Sequence, residues 1–400
     1  MKTAIHGKHI VLGICGGIAA YKSAELLRLL TKAGANVRVM MTRNAARFVG
    51  PVTFEALSGK PVCTDLFDRT DPDAAIRHIE WAQEAHGVVI APATASMVAK
   101  HAHGLADDAL STFLLAVTCP VAVCPSMNTD MYLSPPVQRN LEILKKDGHL
   151  VLEPGSGELA CGTVGPGRLP EPPLILDRLT ALLTRKDLAG RRVLVTAGPT
   201  QEPIDPVRFI SNPSSGKMGY AVARAAEYRG AEVVLVSGPT SLDLPVNVRT
   251  VRVRTAREMA HAVFEQMDGA DVIVKSAAVG DYRAMETAAH KIKKTADELT
   301  LTLVKNTDIL KSVGLRKTRQ ILVGFAAETR DLKENAQEKL EKKNLDMIVG
   351  NLVGHPSSGF GTDTNRVTLF YRDGGIEPLE EMDKAEVAHL ILDRVCERLP

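Results

Sequence analysis

The sequence predicts an α/β fold of two doubly wound, Rossmann-like domains, and three observations carry that prediction. A short apolar strand at His9–Ile14, a Gly16-Gly17 turn, a helix over Ile18–Lys32 and a second strand at Val37–Met41 open the chain. The same grammar recurs at Val193–Thr196, Tyr220–Arg229 and Val233–Val236. The chain has 400 residues, too many for one ordinary core when a domain takes about 150. Two such βαβ openings imply one ligand site at the carboxyl ends of each sheet.

Apolar content of 45% with 24% charged residues is that of a globular chain. A formal net charge of +2 gives no general attraction to nucleic acid or to a membrane surface. No apolar run reaches the roughly 18 residues of a membrane span, and Lys8-His9 leads straight into a strand without a signal-peptide pattern. The expectation is a cytoplasmic protein. Six cysteines are scattered without a C-x-x-C pair, which argues against both a zinc site and a disulfide framework.

In the first half, Asp73–Trp81 precedes a buried strand at Val88–Ala91. The segments Ala91–Ser96, a helix around Ser111–Val117, and Val121–Asn128 continue the alternation, with short polar groups just after each strand. The first glycine turn, G-I-C-G-G-I, lacks the G-x-G-x-x-G spacing, and the second strand ends at Met41-Thr42-Arg43 without an acid for a ribose hydroxyl, so NAD is disfavoured. A mononucleotide such as FMN needs only the glycine turn, a helix N-terminus and a hydroxyl such as that of Thr42. Glu153–Pro173 is dense in glycine and proline, reads as a loop without regular structure, and with Cys161 near its middle suggests a functional lid. A helix resumes at Leu174–Leu183, and Thr184–Gly190 is a polar linker that divides the chain into residues 1–190 and 191–400.

The second half turns on Ile210–Gly219, I-S-N-P-S-S-G-K-M-G, where Ser214, Ser215 and Gly216 lie at a helix start followed by Lys217. Unpaired amides and the positive helix end suit an anion cradle there, with Arg208 and Asn212 close in sequence, and the alternative is an ordinary serine-capped helix. It is not a Walker loop, because Ser211 and Met218 occupy the positions that need glycine and Ser or Thr. Strands are expected near Val248–Val253, Val272–Ser276, Leu299–Val304, Ile321–Phe325, Met347–Gly350 and Val367–Tyr371, and helices near Ala256–Gln266, Asp308–Val313, Leu332–Lys343 and Lys384–Arg398. Between them Ala277–Lys294 reads as a long cationic connection. Lys339 and Lys343, four apart on one expected helix, repel unless an anion sits between them, and Glu338 or Glu341 could supply it.

These strings, in their order, resemble the bifunctional enzymes of coenzyme A biosynthesis that fuse phosphopantothenoylcysteine decarboxylase to phosphopantothenate–cysteine ligase. The first half is similar to FMN-dependent cysteine decarboxylases in R-H-I-E, A-P-A-T, P-S-M-N and A-C-G-T-V-G-P-G-R. The second is similar to the ligase in T-A-G-P-T-Q-E-P-I-D-P-V-R-F-I-S-N-P-S-S-G-K-M-G, A-A-V-G-D-Y-R, K-I-K-K, V-K-N-T-D-I and G-F-A-A-E-T. The resemblance implies a flavodoxin-like flavoprotein domain holding FMN near Gly16, Gly17, Thr42, Ser96 and Ser111. It implies His78 as the base in thiol oxidation, Asn128 on the substrate carboxylate, and Cys161 as the proton donor on a closing flap.

For the ligase it implies 4′-phosphopantothenate, L-cysteine and CTP as substrates and an acyl-cytidylate intermediate. Asn212 would hold that intermediate, Lys291 would serve the second half-reaction or the triphosphate, and Arg208 would support the pocket. Asp281 would contact the nucleotide or Mg²⁺, Ala277, Lys305, Asn306, Asp308 and Phe325 would line the site, and Lys339 and Lys343 would reach CTP. A homo-oligomer, a dodecamer built from trimers, is implied as well. Gly280, Thr307 and Gly350-Asn351-Leu352 depart from the family pattern, the last by lacking an acid near the nucleotide end. One rival reading is a regulatory binding protein on the same fold, and the joint presence of His78, Asn128 and Cys161 argues against it; another is a flavin enzyme that decarboxylates a peptide C-terminal cysteine, followed by an unrelated domain, and the ligase motifs after Arg191 weigh against that.

Overall fold

In a computed structural model of the protein, residues 4–67, 74–293, 298–328, 330–352 and 361–400 are described, and the chain divides after Thr184 into two compact units. Asp73, Lys294 and Thr329, which belong to motifs singled out above, lie outside the described residues.

The first unit is built on strands β1 (His9–Ile14), β2 (Asn36–Met41), β3 (Gly87–Ala93), β4 (Val121–Pro125) and β5 (Leu150–Val151). They form one parallel sheet in the order β2-β1-β3-β4-β5, which puts the topological switch between β1 and β3. All seven residues of β3 are buried, the reason its sequence is a continuous apolar run rather than an alternation. Helices α1 (Lys22–Lys32) and α2 (Pro51–Ser58) precede α3 (Ala74–Glu84), α4 (Ala95–His103) and α5 (Ala109–Ala116). Then come α6 (Thr129–Leu133), α7 (Pro135–Lys146) and α8 (Pro172–Leu183). Leu26, Leu27, Ile175 and Leu179 of α1 and α8 cover one face of the sheet, and Trp81, Val98, Phe113 and Leu141 cover the other.

Two local expectations change. Ile18–Tyr21 is a 3₁₀ turn, and the α-helix proper begins only at Lys22. The glycine-rich segment expected to lack regular structure contains an antiparallel hairpin, β6 (Gly155–Glu158) with β7 (Val164–Arg168).

In the second unit β8 (Arg192–Ala197), β9 (Gln201–Pro203), β10 (Phe209–Ser211), β11 (Glu232–Ser237), β12 (Arg249–Arg252), β13 (Val272–Lys275), β14 (Tyr282–Ala284) and β15 (Leu303–Lys305) come first. They are followed by β16 (Ile321–Glu328), β17 (Met347–Leu352), β18 (Thr364–Asn365), β19 (Val367–Tyr371), β20 (Ile376–Pro378) and β21 (Met382–Asp383). The main sheet runs β12-β11-β8-β13-β16-β17-β19-β20 and is parallel up to β17, after which two antiparallel strands close the edge. Helices α9 (Lys217–Tyr228), α10 (Ala256–Met267), α11 (Ile309–Arg316), α12 (Leu332–Lys342) and α13 (Lys384–Cys396) cover it. Core side chains of α9 and α13, such as Val222 and Ile391, lie on one face, and those of α10 to α12, such as Val263 and Leu340, on the other.

The expected strand near Leu299–Val304 is a different object. β15 leaves the main sheet and pairs with β14, so the long connection after Ala277 contains a two-stranded ribbon. Leu188 of the linker is fully buried in the second unit's core. Among the described residues no helix is long and apolar enough to cross a membrane.

Candidate active site

The carboxyl edge of the first sheet gathers most of the residues proposed for the flavin. Gly16 and Gly17 follow β1, Thr42 follows β2, and Ser96 sits exposed in the first turn of α4 after β3. The two glycines differ. A β-carbon on Gly16 would lie 2.4 Å from that of Asn44, so this position is needed for chain packing, whereas at Gly17 only Thr94 comes within 4.0 Å. Thr42 Oγ1 accepts from the Ala45 amide at 3.3 Å. Ser111 is committed locally. Its hydroxyl accepts from the Asp108 amide at 3.1 Å while its own amide donates to Asp108 Oδ1 at 2.8 Å, closing a capping box on α5.

Asn128 follows β4 and caps α6, its Oδ1 accepting from the amides of Asp130 at 2.8 Å and Met131 at 3.4 Å. That fixes the amide plane and leaves Nδ2 to donate to Cys161 Sγ at 3.4 Å. Cys161 is in the turn of the β6–β7 hairpin, the one exposed thiol of the six, with Thr163 Oγ1 at 3.1 Å. Hydrogen bonds from the Thr163 side chain and amide, then from Asn128, pull its pKa from 9.0 down to about 7. Buried Cys15, by contrast, is pushed up to about 12 by desolvation. The hairpin is stitched to the Asn128 loop, since Met127 N donates to Gly167 O at 3.0 Å and Ser126 Oγ to the same carbonyl at 3.3 Å. His78 stands on α3 with no hydrogen bond to either residue, and its Nδ1 is buried and unpartnered among the described residues.

The second sheet carries a cleft of about 990 Å³ at its carboxyl edge. Asn212, Ala277, Asp281 and Phe325 line it, as do Lys305, Asn306, Asp308 and Lys343. Asn212 Nδ2 donates to the carbonyls of Ala278 at 3.3 Å and Val279 at 3.2 Å. Asn306 Nδ2 donates to Gly280 O at 2.8 Å, and its amide to Asp281 O at 2.8 Å, so two asparagines hold the loop after β13. Asp308 caps α11 by accepting from Lys311 N at 3.0 Å and pairs with Lys343 Nζ at 2.9 Å. Ser214 to Gly219 form one wall, with Gly216 at φ 78° starting α9 without a side-chain cap, so the first amides of that helix have no side-chain acceptor.

Three proposed residues do not line this cleft: Arg208, Lys291 and Lys339. Lys339 and Lys343 share no carboxylate among the described residues. α12 ends at Lys342, so Lys343 is off the helix and pairs with Asp308, while Lys339 pairs with Glu328 and Glu338 with Lys342. Lys217 reaches Asp363 Oδ1 at 2.7 Å and Gly361 O at 2.8 Å. Sequence reasoning missed Lys275, the last residue of β13, which lines the cleft without a carboxylate in ion-pair range among the described residues. Burial draws its pKa down to about 8; Lys343 adds to this while Asp308 and Asp281 oppose it. A lysine closing an otherwise buried V-I-V strand at a sheet's ligand edge was the available signal.

Comparison with known proteins covers both units. Residues 188–399 match the profile of the DNA/pantothenate metabolism flavoprotein C-terminal domain, and residues 1–184 match that of the flavoproteins. The coenzyme A biosynthesis bifunctional protein CoaBC of Bacillus subtilis is 47% identical, covering 98% of this chain and 97% of that protein. The protein of the same name from Escherichia coli K12 is 48% identical over 99% of this chain and 98% of its own length. A crystal structure of the C-terminal domain of a CoaBC protein is 44% identical, covers 54% of this chain and 98% of that one, and superposes with a TM-score of 0.47. The chain belongs to the CoaBC family of bifunctional coenzyme A biosynthesis enzymes, with a flavoprotein decarboxylase unit followed by a ligase unit.

Proposed function

We propose that the second unit ligates 4′-phosphopantothenate to L-cysteine with CTP, and that the first decarboxylates the product to 4′-phosphopantetheine. The observation that carries the ligase reading is the cleft, whose lining brings together Lys275, Lys305 and Lys343, an uncapped helix start, and a loop held by Asn212 and Asn306. The substrate carboxylate attacks the α-phosphate of CTP, forming the acyl-cytidylate and releasing pyrophosphate. The cysteine amine then attacks the acyl carbon and expels CMP. Clustered ammonium groups suit the first step because negative charge grows on the departing pyrophosphate. Asn212, its Nδ2 already committed, offers Oδ1 as an acceptor to a hydroxyl or amide N–H of the bound intermediate. Mg²⁺ would be held by Asp281 together with the triphosphate. Among the described residues no three acidic, histidine or cysteine side chains cluster, which suits an ion that keeps water and phosphate ligands.

In the first unit the open backbone at Gly17, the exposed Ser96 hydroxyl and the unpartnered Nδ1 of His78 fit a bound FMN beside the substrate. Bound FMN supplies reversible two-electron redox at the substrate thiol. His78 takes the thiol proton at Nδ1, Asn128 orients the carboxylate without adding charge, and Cys161 returns a proton from the turn of the hairpin. This reading includes self-association into a homo-oligomer, with Val52, Phe67, Ile76 and Val164 among the exposed apolar side chains of this unit.

Asn212→Asp tests the assignment, because a new carboxylate beside the acyl-cytidylate repels it. Ligation is expected to fall on the order of 10²-fold while decarboxylation of supplied phosphopantothenoylcysteine is unchanged. Equal loss of both activities would contradict the role given to Asn212. Parallel reactions with CTP and ATP, read by mass spectrometry, decide the nucleotide; product formed equally with both would remove CTP selectivity.

A further inference from the structure

The loop carrying Lys291 is not free to choose its position. Asp205, in the turn between β9 and β10, is fully buried, and each carboxylate oxygen has a separate task. Oδ1 accepts from the amides of Val207 at 2.7 Å and Arg208 at 2.8 Å, which closes the turn. Oδ2 accepts from Arg208 Nη1 at 2.8 Å and from the Ile292 amide at 3.2 Å. Arg208 Nη1 in turn donates to Ile292 O at 3.2 Å, so both backbone groups of Ile292 are gripped by one ion pair. The preceding residues run along the same turn: Ala288 N donates to Ile204 O at 3.0 Å and Thr287 Oγ1 to Pro203 O at 3.3 Å.

We infer that Asp205 is a positioning residue for ligation: with Arg208 it clamps the main chain at Ile292 and so fixes where Lys291 emerges. This rests on the ligase reading of the second unit and deepens it. Arg208, which does not line the cleft, acts through the clamp rather than on the nucleotide. The same ribbon delivers Asn212 to the cleft one residue after β10, so a single small element sets both the residue at the intermediate and the loop of Lys291. Burial opposes ionisation of Asp205, but the amides of Val207, Arg208 and Ile292 and the Arg208 charge outweigh it and keep the carboxyl below its usual range. The acceptor character that the clamp needs is therefore maintained through the neutral range.

Asp205→Asn is a directed lesion. The amide oxygen can still close the turn, but its NH₂ then faces the Ile292 N–H and the Arg208 guanidinium, donor against donor. In the full-length protein, ligation of 4′-phosphopantothenate and cysteine with CTP is expected to drop about 10²-fold in kcat with little change in KM, the size of effect that a misplacement of about 1 Å produces. Lys291→Gln should slow the same ligation, and the double variant should be no slower than Lys291→Gln alone, because the clamp acts through that lysine. Hydrogen exchange supplies a direct reading: the Ile292 amide should lose protection in Asp205→Asn while the β13 amides keep theirs. If Asp205→Asn does not fold, Arg208→Lys, which cannot reach both groups, should give the same exchange signature. Losses in the two single variants that multiply in the double variant, or an unaffected Asp205→Asn beside a slow Lys291→Gln, would overturn the inference alone. A Lys291→Gln enzyme that ligates at the parental rate would overturn the role of Lys291 and the inference with it.

Discussion

At the scale of one residue, Cys161 is the thiol whose surroundings differ from those of the other five. Cys15 and Cys124 lie in the core, where desolvation raises their pKa and keeps them inert. Cys161 is exposed, and hydrogen bonds from Thr163 and Asn128 hold its pKa near 7. The sign matters for a proton donor. The competent thiol is present below the pKa and is lost as pH rises through about 7, so the protonation step should slow about tenfold per unit above that point. Thr163→Val removes the largest of the lowering contacts and should move the midpoint of iodoacetamide alkylation upward from about 7 toward 9.0. A midpoint left at 7 would mean that Thr163 does not set it. Cys161→Ser should stop the first unit's reaction after loss of CO₂, with ligation unaffected; an undiminished yield of 4′-phosphopantetheine would reject the donor role.

At the scale of elements, the parallel strands and their covering helices were legible because buried V-I-V and V-V-I-A runs and glycine stops are dictated by packing on both sheet faces. The hairpins were not. In β6 and β7, G-S-G-E and V-G-P-G-R have no period-two apolar alternation, and the ladder is held by backbone hydrogen bonds rather than by a buried face. The break between Lys339 and Lys343 was hidden for a similar reason, since spacing alone does not reveal that α12 stops at Lys342. The hairpin's attachment gives an element-level prediction. Gly167 has φ 143°, and a β-carbon there would lie 2.2 Å from the Met127 carbonyl, the group next to Asn128. Gly167→Ala should therefore lift the hairpin from the Asn128 loop and cost decarboxylation about 10²-fold, with ligation as the internal control. Unaltered decarboxylation would show that this attachment is not needed.

Across the whole molecule, the second unit is tied by a buried cation that no motif announced. Arg229, at the end of α9, pairs with Asp187 of the linker at 2.7 Å and with Asp393 of α13 at 2.7 Å. Its side chain is only 5% exposed, so removing it strands two carboxylates in a protected site. Arg229→Ala should destabilise the second unit by about 3–5 kcal/mol in urea unfolding, and a change below about 1 kcal/mol would place the pair among weak surface bridges. The two-sheet plan and the residues after each strand were readable in the chain, because ligand edges follow from topology. The pairings of Lys217, Lys339 and Arg208 depend on which side chains meet across elements, and that is settled only by packing.

If one chain performs both reactions in sequence, a single incubation yields the final product. Purified protein reconstituted with FMN is incubated with 4′-phosphopantothenate, L-cysteine, CTP and Mg²⁺, and products are followed by mass spectrometry. The expected products are pyrophosphate, CMP, CO₂ and 4′-phosphopantetheine, with 4′-phosphopantothenoylcysteine appearing first and then being consumed. No nucleotide-dependent product, with intact CTP throughout, would contradict it.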